Sequence, residues 1–416
     1  MKFIKNITTA LTVSSFAILV GCSSEIPESD KSYFNSLPET KVNVDDYMPK
    51  QFVHPGILHT SERIEQMKTI VNTGASSADL NVKLAYKSWQ NLTADRRAKS
   101  TYTLRNTATD KTLMLARGNG GNAGMFQDDF AAAYMNALEW AVTGNKDNAN
   151  KAKEILLKYA NTVAGLTENN DTPLLAGLQG FEIAYATELL STYGDKPLAG
   201  DDLKKIEAML DDHFVPVMEK FYNTPAYTNG NWGLIITKAY LAIAILKGDL
   251  DMYKKGMNFL FFGSDNGTFY YIDKETGQCQ EQGRDQGHAQ LGVGMLGSIC
   301  ELAYQQGVDI FTFNDNSVEK GFEYLAEYNI DTNSTLPYKQ WTDVTGKYSG
   351  WKNPDSEKNT RGTLRGIYSV AYNYYVTRKG MEMPNCTKVL ESNKNAECNF
   401  DSDNVGFYAF QFCDMK

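Results

Sequence analysis

The stretch Leu234-Ile-Ile-Thr-Lys-Ala-Tyr-Leu-Ala-Ile-Ala-Ile-Leu246 is apolar nearly all round when wound into a helix. A helix of that kind is buried on most of its sides. It is too short to cross a bilayer, so the rest of the protein must cover it. Its neighbours are built to do so. Between Asp201 and Phe221, the residues Leu203, Ile206, Met209, Leu210, Phe214, Val217, Met218 and Phe221 recur at helical spacing, and Asp201 or Asp202 can cap the start. Asp129 to Val142, Asn148 to Val163, Pro173 to Tyr193, Gln290 to Tyr304, Ser317 to Tyr328 and Gly362 to Thr377 read as further helices.

Short Gly/Asn/Asp links such as Thr143 to Asp147 and Lys247 to Asp249 separate several of them. Links of that length join antiparallel neighbours. Alternating strands are few, and Gly267 to Asp273 is the best of them, as a hairpin or loop edge. Some helices are buried all round and others are amphipathic. The chain therefore reads as all-α, in two concentric layers: an α/α toroid, an incomplete double-layered helical barrel with few short strands. A stack of helical repeats would need a fixed sequence period, and none is visible.

The N-terminus has a separate logic. Lys2 and Lys5 precede an apolar run from Ala10 to Val20, which ends in Leu19-Val20-Gly21-Cys22. This is the layout of a secretory signal peptide, and the cysteine directly after the small residues marks a lipobox. Residues 1–22 are thus expected to be a lipoprotein signal ending at a lipidated Cys22. Export to the periplasmic side follows, with a lipid anchor, and Ser23 and Ser24 favour the outer membrane. Residues 23–50 are rich in Pro, Ser, Asp and Glu and read as a flexible tether. Residues 51–380 hold the toroid, and 381–416 form a cysteine-containing tail.

The net charge is −9 over 416 residues. A nucleic-acid footprint is absent, and long-range steering of an anionic polymer is not built in. An anionic ligand must be met by a local cluster of cations. Besides Cys22 there are Cys279, Cys300, Cys386, Cys398 and Cys413. A disulfide within the tail is expected in an oxidising compartment, while Cys300 sits in an apolar helical stretch. No cluster has metal-ligand spacing, so neither a metal nor a cofactor is expected.

Three stretches are too polar for a core. Tyr227-Thr-Asn229-Gly-Asn231-Trp232-Gly233 enters the buried helix, where Asn229 can serve as a cap. Glu281-Gln-Gly-Arg284-Asp285-Gln-Gly-His288-Ala-Gln-Leu-Gly292 crowds a cation, carboxylates and amides around one of only four histidines; His54, His59 and His213 have blander settings. Arg361-Gly-Thr-Leu-Arg365-Gly-Ile-Tyr368 would place Arg361, Arg365 and Tyr368 on one helical face.

Asn-Gly-Asn-Trp-Gly, Gly-Arg-Asp-Gln-Gly-His-x-Gln-Leu-Gly and Gln306-Gly-Val-Asp309 resemble the alginate lyase superfamily of helical-toroid polysaccharide lyases, polysaccharide lyase family 38 most of all. The resemblance runs from about His54 to Arg378, and Gly-Arg-Asp-Gln-Gly-His is its specific part. The Arg-Gly-Thr-x-x-x-x-Tyr pattern is similar to the Arg/Tyr pair of polysaccharide lyase family 5. That family has Asn-His where this chain has Asn231-Trp232, so His288 is the candidate histidine. The resemblance implies β-elimination on a polyuronate, alginate rich in mannuronate or glucuronan. Tyr368 would be base and acid, with Asn231, His288 and Arg361 neutralising the substrate carboxylate. Arg284, Asp285, Trp232, Tyr227, Gln127 and Arg365 would bind substrate. Neutralising the carboxylate is needed because the C5 proton is poorly acidic beside a charged carboxylate.

Two other readings stay open on the residues. A glycoside hydrolase would pair Asp128 or Asp129 with Asp285 or Glu281. A glycan-binding lipoprotein would stack sugars on Trp232, Trp341 and Trp351. The lipobox gives its own test: the wild-type chain expressed with its own leader should fractionate with membranes, and Cys22→Ser should move it to the soluble periplasm. A wild type that is soluble and carries no lipid would contradict the lipobox.

Overall fold

A computed structural model describes residues 42–223, 230–263, 268–340, 360–392 and 396–415. Cys22, Tyr227, Asn229, Trp341 and Trp351 lie outside these residues. The helices run in order: α1 Ser61–Thr73, α2 Leu80–Ala94, α3 Ala123–Thr143, α4 Lys146–Thr162 and α5 Thr172–Thr192. Next is α6, formed by Gly200–Met209, a π-helical turn Leu210–Phe214 and Val215–Tyr222. Then come α7 Gly230–Lys247, α8 Leu250–Phe262, α9 Gln286–Gln305 and α10 Phe313–Ile330. α11 begins as Tyr368–Ala371 and continues as the π-helical Tyr372–Arg378; α12 Pro384–Ser392 and the short α13 Tyr408–Gln411 follow.

Odd-numbered helices α3, α5, α7, α9 and α11 form the inner ring, each packed on the next, with α4, α6, α8 and α10 outside them. Burial follows this division. In α7 every residue from Gly233 to Ile245 is buried, as the apolar pattern requires. The outer α4 keeps its lysines toward solvent and buries Ile155, Leu156 and Tyr159. Close approach of inner helices needs missing side chains: a Cβ on Gly177 of α5 would lie 2.7 Å from the Ile235 side chain of α7. The inner helices are parallel, because each is reached through an antiparallel outer one. Their N-termini therefore share one end of the ring.

The few strands are not where alternation suggested. Leu113–Leu115 (β1) pairs in parallel with Val163–Leu166 (β2). Thr268–Tyr271 is a 3-10 turn, and only an isolated antiparallel bridge between Ile272 and Cys279 remains of the expected hairpin. The last helix also starts later than its periodicity predicts. Residues 361–367 are turn and loop, held by Gln290, whose amide donates to the Thr363 carbonyl at 2.8 Å.

The described residues outside 51–380 are packed onto the toroid. Val42 and Val44 are buried, and Lys254 pairs with Asp45 at 2.6 Å. The tail caps α11: Glu397 accepts from the Tyr368 and Ser369 N–H groups at 2.9 and 3.1 Å. It then crosses to α1, where Arg63 bonds the Gln411 carbonyl at 3.0 Å and pairs with Asp414. Among the described residues no disulfide staples the tail. Cys386, Cys398 and Cys413 are free and buried, as are Cys279 and Cys300. They act as small apolar core residues, each facing its own neighbours.

His59 is buried beside Tyr185 of α5. Its Nδ1 accepts from the Tyr185 hydroxyl at 2.5 Å and its Nε2–H donates to the Gln411 carbonyl at 3.0 Å. Burial, followed by the nearby Arg63 charge, pushes its pKa down to about 3 from 6.5. The fold therefore holds the neutral ring, and the unfolded chain binds the extra proton first. This contribution is complete above pH 6.5 and is lost as pH falls toward 3. We expect Tm to fall between pH 7 and pH 4 by a clearly larger amount in wild type than in His59→Gln, measured by circular dichroism. Equal falls would contradict it.

Candidate active site

The site grows from the start of α7. The first N–H groups of a helix have no partner within it. Here the loop before α9 supplies the acceptors: Gln280 Oε1 takes the Gly230 N–H at 3.0 Å, and Glu281 Oε2 takes the Asn231 N–H at 3.2 Å. Glu281 is fully buried. It also accepts from Asn231 Nδ2 at 2.7 and 2.8 Å, from the Tyr271 hydroxyl at 2.8 Å and from Arg284 Nη1 at 2.7 Å. A buried carboxylate is tolerable only with such a set of donors.

From Glu281 the network runs outward. Arg284 directs its Nη2 to His288 Nε2 at 3.0 Å. His288 Nδ1 meets Asp285 at 2.7 Å, and the same carboxylate caps α9 by accepting the His288 backbone N–H at 2.9 Å. Burial works to raise the Asp285 carboxyl, but the His288 bonds and the Arg284 charge outweigh it and hold it below the usual carboxylate range. Since Asp285 is a carboxylate, Nδ1 carries the proton and Nε2 is the lone-pair nitrogen. Exposure rises along this path: Asp285 and Arg284 are about a quarter exposed and His288 is 40% exposed. The cluster thus runs from the core to solvent at the end where the inner-helix N-termini meet.

Asn231, Arg284, Asp285 and His288 are brought together, and Trp232 sits half-buried in the first turn of α7. Gln127 is the fifth residue of α3, near the same end. The Arg/Tyr face does not form, because residues 361–367 are not helical. Arg361 instead closes the C-terminal end of α10, donating to the carbonyls of Tyr328, Asp331 and Ser334 at 2.9, 3.0 and 2.6 Å, with its guanidinium 4.0 Å over the Tyr328 ring. Arg365 bonds the Gly287 carbonyl at 3.3 Å, but its charge is matched by Asp401 at 2.6 Å and Asp403 at 3.0 Å. Tyr368 has no exposure, and its hydroxyl donates to Gln290 at 3.0 Å. Desolvation pushes its pKa well above 10, the wrong direction for a base. Tyr368 thus lies in the core and Arg361 at the end of α10, and the two do not share a helical face.

The carboxylates of the hydrolase reading are committed elsewhere. Asp129 is fully buried and accepts from the hydroxyls of Tyr102 and Tyr159 at 2.8 and 2.7 Å and from the Arg105 and Asn106 N–H groups. Asp128 is ringed by Arg96, Arg97 and Arg105. Glu281 and Asp285 are bound as described above. Sequence reading gave Glu281 only that hydrolase role and passed over Tyr271 and Gln280. The Gln280-Glu281-Gln282 run in the loop before α9 was the signal available. Beside the start of α5, a groove of about 480 Å³ lined by Leu166, Asn169, Pro173, Val217 and Phe221 opens on the surface.

The described helices thus form an α/α toroid with an arginine and an Asp-oriented histidine at the end where the inner helices begin. The profile of the family described as Alginate lyase matches residues 69–336. The chain belongs to the alginate lyase family, and is accordingly a polysaccharide lyase. It is similar in fold to alginate lyase A1-III from Sphingomonas species A1, at 13% identity and TM-score 0.55, covering 87% of this chain and 98% of that one. A histidine-to-alanine variant of A1-III in complex with a tetrasaccharide matches at 13% identity and TM-score 0.56, covering 87% and 97%. An alginate lyase from Bacteroides ovatus matches at 15% identity and TM-score 0.54, covering 86% and 99%. None of the curated proteins matches the sequence.

With Tyr368 in the core, Tyr368→Phe should leave lyase turnover near wild type. Stability should fall by only about 1 kcal/mol, since Gln290 Oε1 keeps the Arg365 N–H at 2.9 Å. A folded Tyr368→Phe protein without activity would restore the tyrosine to the chemistry.

Proposed function

We propose that this chain cleaves alginate by β-elimination, with His288 as the base and Arg284 as the group that neutralises the uronate carboxylate. The Asp285–His288–Arg284 arrangement carries this reading. Asp285 fixes the ring so that Nε2 is the free-lone-pair nitrogen, and Arg284 already lies 3.0 Å from it. A carboxylate arriving at Arg284 would draw the guanidinium off the imidazole. His288 Nε2 would then take the C5 proton. The electron pair delocalises into the carboxylate and expels the C4 oxygen, forming the C4–C5 double bond. The imidazolium is then the proton donor for that oxygen on the same face. In mannuronate the C5 hydrogen and C4 oxygen lie on one side of the ring, so one residue can serve both steps; this favours mannuronate-rich alginate. A match to solved alginate lyases, one of them holding a tetrasaccharide, supports an anionic polysaccharide in the mouth.

The signal at Leu19-Val20-Gly21-Cys22 supports an exported, lipid-anchored enzyme that meets its polymer outside the cytoplasm.

The test follows the ultraviolet absorbance of the unsaturated uronate on polymannuronate, polyguluronate and glucuronan. Wild type should be fastest on polymannuronate. His288→Ala should lower kcat by a factor of about 100 or more with a smaller change in KM, the size expected for a lost general base. Reducing ends without absorbance would instead favour hydrolysis, and an active His288→Ala would move the base elsewhere.

A further inference from the structure

A second group of cations lies where the chain enters α3. The stretch after α2 sets Arg96, Arg97 and Arg105 around one carboxylate, Asp128 in the second turn of α3. Arg96 Nη2 and Arg105 Nη1 both reach Asp128 Oδ2 at 2.5 Å, and Arg97 Nη1 reaches Oδ1 at 3.1 Å. Arg97 has a carboxylate of its own in Asp95, at 2.7 Å. Arg96 and Arg105 therefore share a single acid, and the group carries an excess of positive charge. Asp128 is 16% exposed, whereas the Arg96 and Arg105 side chains are 61% and 45% exposed. A guanidinium has five N–H donors in a rigid fork. Each of these two spends one nitrogen on Asp128, and the outer edges of both forks face solvent. Arg105 is also fixed from behind: its backbone N–H donates to the buried Asp129 at 3.0 Å, and its Nη1 donates to the Gly124 carbonyl in the first turn of α3. A line of contacts joins this group to the catalytic loop. The Arg97 guanidinium lies 3.4 Å over the Phe400 ring, the adjacent Asp401 pairs with Arg365, and Arg365 bonds the carbonyl of Gly287, the residue before His288.

We propose that Arg96 and Arg105 form a distal subsite, which binds a uronate carboxylate of the polymer several sugars away from the one held at Arg284. This rests on the lyase reading above and extends it from the cleaved sugar to the chain that leads to it. Two outward guanidinium forks held by a shared acid suit a carboxylate, which accepts two parallel N–H bonds. The partial positive charge at the start of α3 adds to them. Between the two points Arg365 is matched by Asp401 and Asp403, so a polyuronate lying along the rim meets exposed cations at Arg284 and again at Arg96 and Arg105. The distal contact is the same before and during bond cleavage. It therefore tightens binding of long substrate without speeding the chemical step.

The test removes both forks together, as Arg96→Ala with Arg105→Ala. Arg97 stays on Asp128 in this variant, so no carboxylate is left unpaired. On polymannuronate KM should rise about tenfold with kcat within about twofold of wild type, the pattern of lost uniform binding. Raising the salt concentration should narrow the gap in KM between the two proteins, because the lost contact is ionic and exposed. On a mannuronate trisaccharide, which covers only the sugars around the cleaved bond, the two proteins should have the same KM. A control of equal charge, Lys146→Ala with Lys204→Ala, removes two exposed cations from the starts of the outer helices α4 and α6 and should leave KM on the polymer within about twofold of wild type. An unchanged KM on the polymer, an equal rise on the trisaccharide, or an equal rise in the lysine control would each overturn the proposal. If the double variant does not fold, by circular dichroism and melting, Arg96→Ala alone decides, with an expected rise in KM of about threefold and no rise as the contrary result. Calorimetric titration with polymannuronate keeps the two readings apart. Wild type that binds the polymer but forms no unsaturated uronate removes the lyase reading, and the affinity of the arginine variant then still tests the subsite: about tenfold weaker binding supports it and equal binding overturns it.

Discussion

One buried carboxylate organises the mouth of this toroid. Glu281 satisfies the opening of α7, holds the Asn231 amide, anchors Tyr271 and aims Arg284. Through Arg284 it reaches His288 and so the start of α9. The two inner helices that frame the site are thus joined by a charge that water cannot solvate. Such a group is safe only while every partner is present; removing one typically costs about 3–5 kcal/mol. Preorganisation follows directly, because Arg284 and Asn231 cannot relax toward other partners without stranding Glu281.

The same layout explains how an acidic protein can accept an acidic polymer. Long-range attraction is unavailable at a net charge of −9. What the fold offers is local: parallel inner helices bring their N-terminal dipole ends to one end of the ring, where Arg284, paired with Glu281 and Asp285, stays about a quarter exposed. Most other arginines near the axis are matched. Arg365 is held by Asp401 and Asp403, Arg378 by Glu301 and Asp414, and Arg97 by Asp95 and Asp128. Those pairs tie the tail and the first helices into the ring.

The helical layers were legible because burial writes itself into periodicity. Leu234–Leu246 could only be an inner helix, and Ile155, Leu156 and Tyr159 could only be the inward side of an outer one. The Gly-Arg-Asp-Gln-Gly-His run was legible as chemistry because it crowds a cation, a carboxylate and one of only four histidines into one loop. What failed was the face drawn through Arg361, Arg365 and Tyr368. Their spacing is helical, yet Gly362 adopts φ +90° and Glu397, from the far tail, decides that the helix begins at Tyr368. A contact between residues so distant along the chain leaves no local trace. The tail cysteines misled for a related reason. Their number suggested pairing, but each is placed by a different packing neighbour, and nothing in their spacing records that. Glu281 was visible but underrated, since a carboxylate beside an arginine reads equally as catalyst or as support until its burial is known.

The central claim is that a uronate carboxylate binds Arg284 with its C5 hydrogen turned to His288. A crystal structure of His288→Asn with a mannuronate tetrasaccharide tests it most directly. The account expects one sugar carboxylate within hydrogen-bonding distance of the Arg284 guanidinium, with C5 of that sugar facing the substituted side chain at position 288. A tetrasaccharide bound at the same mouth with its carboxylates away from Arg284, or lodged against another face of the toroid, would contradict it.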